Sequence, residues 1–339
     1  MNFLRYSVSR LFWSIFVVLG VVFVVFLVSN VVPSDPAALW VGPKATHSAI
    51  QAAREKLKLD RPILVRFGYF LKDLLRFDLG TSIRTHRPVI EDIRKALTAT
   101  FELLLVAECI AIGLGIPLGV LAAVKRNRWF DNLSRIFAVA GVSLPSFWYG
   151  MILQLLFFKW LGLLPLSDRI DTFVSLVYPF EEKTGFYLID TLLARNYVAF
   201  FDVIKHLILP AITLAAYPIG LITRQVRSMM VEVLQENYIR TAFAYAIPER
   251  KIYFGYALKN AIAPAMVTVA LSFAYTLVGA FLVELIFNWP GLGRYAANAI
   301  LSMDYPAIVG VTIVASVCYV LINFAVDLIQ AKIDPRIRF

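Results

Sequence analysis

Six apolar runs of membrane-spanning length dominate this sequence. A helix needs about 20 apolar residues to cross the hydrocarbon core of a bilayer, which is roughly 30 Å thick. Spanning backbone must satisfy its own hydrogen bonds, so runs of this length predict helices, and the ten-residue alternation of a β-barrel is absent. The fourth run contains Pro210 and Pro218, so we expect it to be kinked and to extend past Thr223. The predicted spans are Leu11–Val32, Leu103–Val124, Ile136–Phe158, Leu207–Thr223, Ala261–Val283 and Ala307–Val326.

Composition supports the same class of protein. Hydrophobic residues make up 60% of the 339 residues, and only 17% are charged, whereas a soluble domain is usually about a quarter charged. Cys109 and Cys318 both lie inside apolar runs, and the histidines are not spaced as metal ligands, so we expect no metal site. The sequence contains no G-x-x-x-x-G-K-[ST] string, so any ATP that drives this protein must be bound by another chain.

The distribution of lysine and arginine predicts the orientation. With the N-terminus in the cytoplasm, the inner segments carry 15 basic and 6 acidic residues. We therefore predict cytoplasmic termini, an extracytoplasmic segment after the first helix and a second outer loop at Lys159–His206. The net charge of +10 then faces anionic lipid headgroups rather than nucleic acid. The inner segments are residues 1–10, 125–135, 224–260 and 327–339.

The loop between the fourth and fifth spans contains a predicted amphipathic helix. Five apolar residues at positions i, i+3, i+4, i+7 and i+8 form one stripe, and Pro248 then predicts a break and the first turn of a second helix. Such a helix is suited to fill a groove on a soluble partner. Packing on the lipid interface or beneath the helix bundle explains the stripe equally well. The stripe comprises Ile239, Ala242, Phe243, Ala246 and Ile247.

A few residues in or near the spans are candidates for the transport pathway or its gate. Glu108 is the one ionisable residue inside the predicted spans, and it would cost roughly 3 kcal/mol if it faced lipid while charged. It could contact substrate or a proton, but we favour a protonated or hydrogen-bonded side chain within the bundle. We predict that Glu284 and Glu102 brace a gate near the outer face. Phe147 and Trp148 either line the pathway or pack against other helices.

Glycine spacing in the second span predicts a close helix contact. Gly115 and Gly119 form a small-xxx-small pair, which lets the backbone of another helix approach closely. Such pairs are common in membrane proteins, so this is a prediction about packing alone.

Several strings resemble signatures of one transporter family. The loop after the fourth span resembles the coupling loop of binding-protein-dependent ABC importer permeases. The resemblance is closest to the first permease subunit of the dipeptide/oligopeptide/nickel family, and it covers essentially the whole chain. The matching strings are Asp78–Ser82, Gly115–Ala123, Leu144–Trp148, Tyr238–Ala244 with Pro264 20 residues later, Glu284–Arg294 and Asp334–Arg338.

The resemblance implies a multi-pass subunit of a heteromeric importer in the cell membrane. Its partners would be a second homologous permease, two ABC ATPases that use ATP and Mg²⁺, and an extracytoplasmic substrate-binding protein. This chain would bind no cofactor and catalyse no reaction. Residues 1–98 would form an N-terminal span with its extracytoplasmic segment, and residues 99–339 the permease domain. The helix that couples to the ATPase would comprise Tyr238, Ile239, Arg240, Thr241, Ala242, Phe243, Ala244, Tyr245, Ala246, Ile247 and Pro248.

The sequence departs from the family pattern within that helix. The family usually has glycine at Ala246 and commonly basic residues at Phe243 and Tyr245, and it typically has glycine at Ser34 in Pro33–Pro36. We expect alanine at 246 to favour helix by roughly 1 kcal/mol over glycine. The ATPase contacts should differ accordingly.

The resemblance also indicates the cargo. Di- and oligopeptides are the predicted substrates, with oligosaccharides or nickel as alternatives for the same machinery. An ion-coupled secondary transporter is the alternative class, but such transporters tend to show repeated halves, and no repeat is visible here. A membrane-embedded enzyme is disfavoured, because the spans carry no constellation of catalytic side chains.

Overall fold

The computed structural model describes residues 3–31, 41, 46–56 and 60–333, and these residues are almost entirely helical. The string Asp334–Arg338, which contributed to the resemblance, lies outside the described residues, as do Pro33–Pro36 and Val32 at the end of the first predicted span. In chain order the helices are α1 (Phe3–Val31), α2 (His47–Lys56), α3 (Ile63–Leu74), α4 (Val89–Val124), α5 (Trp129–Ser143), α6 (Ser146–Leu153), α7 (Thr172–Val177), α8 (Tyr187–Leu193), α9 (Tyr197–Val233), α10 (Asn237–Ala244), α11 (Glu249–Lys251), α12 (Leu258–Ile286), α13 (Leu292–Leu301) and α14 (Tyr305–Ile333), with π-helical segments at Gln154–Trp160 and Ile252–Ala257.

The membrane-spanning helices agree with the hydropathy prediction. Within the described residues, five helices are long and apolar enough to cross a bilayer, and a bent pair makes a sixth span if its two halves are taken together. The prediction of an all-α membrane protein is therefore confirmed, with five to six candidate spans. Helix α9 runs through Pro210 and Pro218 to Val233, which confirms its expected extension beyond Thr223.

The third predicted span, Ile136–Phe158, contains a break. Helix α5 ends at Ser143 and α6 begins at Ser146, and the two helices are bent by 112°. Leu144 is extended (φ −84°, ψ 138°), as is Pro145 (φ −60°, ψ 130°). Proline has no amide hydrogen for the helix and pushes the preceding residue out of the helical region, which explains why the break falls at Leu144–Pro145.

The chain forms two compact units, and the larger is built around residues Thr98–Pro290. In this unit α9 packs against α12, α5 and α6. The contact with α4 uses the predicted glycines, because an added methyl group would lie 2.9 Å from Ile222 at Gly115 and 2.7 Å from Val226 at Gly119. The close approach predicted from this glycine pair is confirmed.

Helix α5 also contacts α9 through glycines, namely Gly141 on α5 and Gly220 on α9. A methyl group at Gly141 would lie 2.6 Å from the carbonyl oxygen of Ala216, and one at Gly220 would lie 2.5 Å from that of Ala138. Both distances are shorter than side-chain carbon atoms tolerate, so the two backbones are in direct contact.

The second unit contains Val8–Leu97 and Gly291–Val320. Its core includes Val89 and Ile93, and an added methyl group at Gly310 would lie 2.6 Å from a methyl carbon of Val89. The string Asp78–Ser82 forms a turn: Gly80 has a φ of 82°, and its amide donates to the Asp78 carboxylate at 2.9 Å.

Candidate functional site

Helix α10 separates the predicted apolar stripe into a buried part and an exposed part. Ile239 and Ala242 are buried beneath the helix. The aromatic side chains are exposed: Tyr238 by 42%, Phe243 by 43% and Tyr245 by 78%. The helix therefore packs against its own unit through Ile239 and Ala242, while its aromatic side chains are exposed.

The C-terminal end of α10 forms a Schellman motif. The amide of Ile247 donates to the carbonyl of Ala242 at 3.2 Å, and the amide of Ala246 donates to that of Phe243 at 2.9 Å. Ala246 has a left-handed φ of 52°, at the position where helices usually carry glycine. The expectation that alanine favours helix here is wrong, because residue 246 lies outside the helix in a conformation that disfavours every residue with a Cβ atom.

The segment after α10 connects it to α12. Pro248 precedes α11, which confirms the predicted second helix, and a π-helical segment continues into α12. Asn260 donates to the hydroxyl of Tyr238 at 2.7 Å, and the rings of Phe243 and Tyr253 meet edge to face at 6.2 Å. These contacts tie both ends of α10 to the beginning of the fifth span.

The hydroxyl group of Tyr253 forms a hydrogen bond in the same part of the loop. It donates to the Glu249 carboxylate at 3.3 Å, and burial together with this carboxylate raises the pKa of the Tyr253 phenol. Within α10, the Thr241 hydroxyl donates to the carbonyl of Asn237 at 3.0 Å, while the exposed Arg240 projects from another face.

A cavity of about 850 Å³ lies at the break between α5 and α6. Helices α9 and α12 and Leu118 of α4 complete its walls, and none of the described residues that line it is charged. Trp148 lines this cavity, whereas Phe147 is not among the lining residues and is 41% exposed. The hydroxyl-bearing residues of the wall are Ser134, Ser146, Tyr149, Thr213, Tyr217, Thr223, Tyr275 and Thr276.

Glu108 lies beside this cavity but does not line it. Its side chain is buried, and the Ser272 hydroxyl donates to Oε1 at 2.7 Å. The other carboxyl oxygen, Oε2, has no hydrogen-bond partner among the described residues. Thr276, one turn after Ser272 on α12, is part of the cavity wall. Glu108 therefore has the hydrogen-bonded position within the bundle that the sequence analysis favoured.

Glu284 is fully buried at the other end of α12. The Thr100 hydroxyl of α4 donates to its carboxylate at 2.5 Å, and its backbone carbonyl accepts from the amide of Trp289 at 2.8 Å. The indole of Trp289 is buried as well, and its Nε1 donates to the carbonyl of Ala99 at 2.8 Å. Both side chains thus join the end of α12 to α4.

Glu102, which was predicted to brace a gate, forms a buried ion pair in the same unit that the sequence did not indicate. Arg169 donates to Glu102 from Nη2 at 2.5 Å and from Nε at 2.9 Å, and both side chains are buried. Arg169 also donates to the carbonyl of Gly185 at 2.7 Å, while Glu102 accepts from the amide of Leu188 at 2.8 Å. The pair fixes the loop before α9 to the middle of α4.

The ring of Tyr187 covers this pair. The guanidinium carbon of Arg169 lies 3.7 Å from the ring centroid, a cation–π arrangement. Burial raises the pKa of the Tyr187 phenol to about 12, and its hydrogen bond to Glu182 contributes to the rise. Only the position of Glu102 near the end of a span could have indicated this cluster, because Arg169 lies in a loop without periodicity.

The fold and these sites define a polytopic all-α integral membrane protein with a cavity lined by uncharged residues and an exposed aromatic helix between two of its spans. The chain belongs to the family of binding-protein-dependent transport system inner membrane components, whose sequence profile matches residues 115–339. The N-terminal profile of the same transport components matches residues 3–104. The resemblance noted in the sequence is thereby confirmed, as is the location in the inner membrane.

Similarity to individual relatives extends over nearly the whole chain. The chain is 44% identical to the probable D,D-dipeptide transport system permease protein DdpB of Escherichia coli (strain K12), covering 96% of this chain and 98% of the relative. It is 40% identical to the dipeptide transport system permease protein DppB of Alkalihalophilus pseudofirmus, covering 99% and 100%. It is 35% identical to the glutathione transport system permease protein GsiC of Salmonella typhimurium, covering 99% of each chain.

Proposed function

We propose that this chain is a permease subunit of an ATP-driven importer of di- and oligopeptides and forms half of the translocation pathway. The observation that carries the proposal is the 44% identity with a D,D-dipeptide permease over 96% of the chain. Each of the relatives described above is named for the transport of a peptide, since glutathione is itself a tripeptide. Peptides are therefore favoured over oligosaccharides and nickel.

The remaining parts of the machine belong to other chains. A second homologous permease completes the pathway, two ABC ATPases bind ATP and Mg²⁺, and an extracytoplasmic binding protein delivers the peptide. This subunit binds no cofactor, catalyses no reaction and does not bind nucleic acid, and its apolar spans are surrounded by lipid. Both termini and α10 face the cytoplasm.

Helix α10 is the proposed contact with the ATPase. Its aromatic side chains are exposed, and its ends are tied to α12 through the Tyr238–Asn260 hydrogen bond and to the π-helical segment before α12 through the Phe243–Tyr253 ring contact. A displacement of α10 by a closing ATPase dimer is therefore passed directly to the fifth span. Phe243 and Tyr245 stand where the family commonly has basic residues. The groove of the ATPase that binds them is therefore expected to be apolar.

The proposal is tested by reconstitution of the four kinds of subunit in proteoliposomes with a radiolabelled dipeptide. We expect uptake that requires ATP and stops when the ATPase subunits are inactivated, whereas collapse of the ion gradient leaves it unchanged. Competition with unlabelled oligosaccharide or nickel should have no effect. Uptake that continues with an inactive ATPase, or that follows the ion gradient, would contradict the proposal.

A further inference from the structure

We infer that the cavity at the break between α5 and α6 is a hydrated section of the translocation pathway, where uncharged hydroxyl and aromatic side chains contact the peptide in transit. This inference rests on the proposed function and adds to it the place and chemistry of the contact. Three features of the larger unit support it, namely the broken backbone, the hydroxyl groups without partners and the absence of charge from the wall.

The broken backbone argues that the cavity holds water. A helix end leaves amide and carbonyl groups without partners inside the helix. Non-helical backbone at membrane depth is tolerated only where protein buries it or where it lines a water-filled space. Gly141, Leu144 and Ser146 all line the cavity, so the last turn of α5 and the first turn of α6 border this space.

The hydroxyl groups argue against hydrocarbon as the occupant. Among the described residues, the hydroxyls of Ser146, Tyr149, Tyr217 and Tyr275 have no hydrogen-bond partner. Each hydroxyl left unsatisfied by a lipid tail would cost about 1–3 kcal/mol. Water or the amide groups of a peptide can satisfy all four, and the rings of Tyr217 and Tyr275, with centroids 6.3 Å apart, offer aromatic surface to apolar side chains.

The size and the missing charge define the class of ligand. The cavity volume of about 850 Å³ lies within the roughly 300–1,000 Å³ typical of small-molecule sites. A pathway must bind its cargo strongly enough to admit it and weakly enough to release it. A fixed charge in the wall would hold peptides of the opposite charge and repel others, whereas this wall treats acidic, basic and neutral peptides alike. The ligand class is therefore a short peptide regardless of its side-chain charge.

Gly279 offers a direct test because it lines the cavity from α12. A methyl group at this position would meet only Leu214, at 3.9 Å, so a larger side chain extends into the cavity instead of colliding with the bundle. We expect Gly279→Trp to lower dipeptide uptake at least ten-fold in reconstituted importer. The matched control is Gly113→Trp on α4, where an added methyl group meets nothing within 4 Å and uptake should stay within two-fold. Full uptake by Gly279→Trp would overturn the inference.

A smaller substitution separates hydration from transport. In a Cys109→Ser, Cys318→Ser background, we expect Gly279→Cys to react with a charged, water-soluble methanethiosulfonate and to be protected by dipeptide during turnover. Reaction with an apolar maleimide alone would show that hydrocarbon fills the cavity and would refute the inference. If the unmodified importer transports no peptide, the proposed function fails, whereas thiol accessibility still decides whether the cavity is aqueous.

Discussion

Replacement of Ala246 by glycine should stabilise the end of α10. Ala246 has a φ of 52°, and a left-handed conformation costs a residue with a Cβ atom about 1–2 kcal/mol. Glycine avoids this cost but gains freedom in the unfolded chain worth about 0.4–1 kcal/mol. The net gain is therefore roughly 0.5–1 kcal/mol, which corresponds to a two- to five-fold shift in the equilibrium between open and closed ends of the helix.

Hydrogen exchange measures this equilibrium directly. The amides of Ala246 and Ile247 donate to the carbonyls of Phe243 and Ala242, so they exchange only when the helix end opens. After correction for the intrinsic rate of glycine, both amides should exchange about two to five times more slowly in Ala246→Gly.

The matched control is Ala244→Gly at the last residue of the helix. Glycine there costs up to about 1 kcal/mol, because residue 244 is within the helix, and the same amides should exchange faster. Equal or faster exchange in Ala246→Gly, together with faster exchange in the control, would refute the reasoning about the left-handed alanine.

Three further predictions concern packing, the buried ion pair and the exposed aromatics. Gly220→Ala should lower the apparent melting temperature by several degrees because α5 and α9 must separate, whereas Gly113→Ala should leave it unchanged. Glu102→Gln leaves a buried arginine without its counter-charge at a cost of about 3 kcal/mol. An unaltered melting temperature for this variant would contradict the structural role of the pair. Replacement of both Phe243 and Tyr245 by serine should weaken ATPase binding in a pull-down at least ten-fold and lower the melting temperature only slightly, since both side chains are exposed and only the Phe243–Tyr253 ring contact is lost.

The positions of the membrane spans followed from hydropathy, but the break in the third span did not. Burial of apolar surface determines which runs enter the bilayer, and a window of about 20 residues averages over a single Leu144–Pro145 step. The proline was visible in the sequence, yet α4 and α9 continue through prolines of their own. Whether a proline interrupts a span therefore depends on the neighbouring helices and on the space that the break borders.

The buried face of α10 was predictable from the sequence, because the spacing of the apolar residues indicates it. Ile239 and Ala242 pack inward as the stripe predicts, but the stripe continued to Ala246 and the helix does not. Its end depends on backbone hydrogen bonds, which residue type alone does not determine. The pairing of Glu102 with Arg169 could not be predicted from the sequence, because 67 residues separate them and the arginine lies in an aperiodic loop.

The glycine contacts of α9 restrict how this subunit changes shape. Helices whose backbones touch cannot roll about their own axes, because a roll would drive side chains into the neighbouring main chain. Since α9 touches α4 at Gly119 and α5 at Gly141, we expect these three helices to move as a single block. The degrees of freedom of a transport cycle then reside in the joints outside that block, at Leu144–Pro145 and at the turn after α10. We therefore expect the subunit to bend at these two joints while α4, α5 and α9 keep their packing, rather than to change shape by independent rotation of each helix.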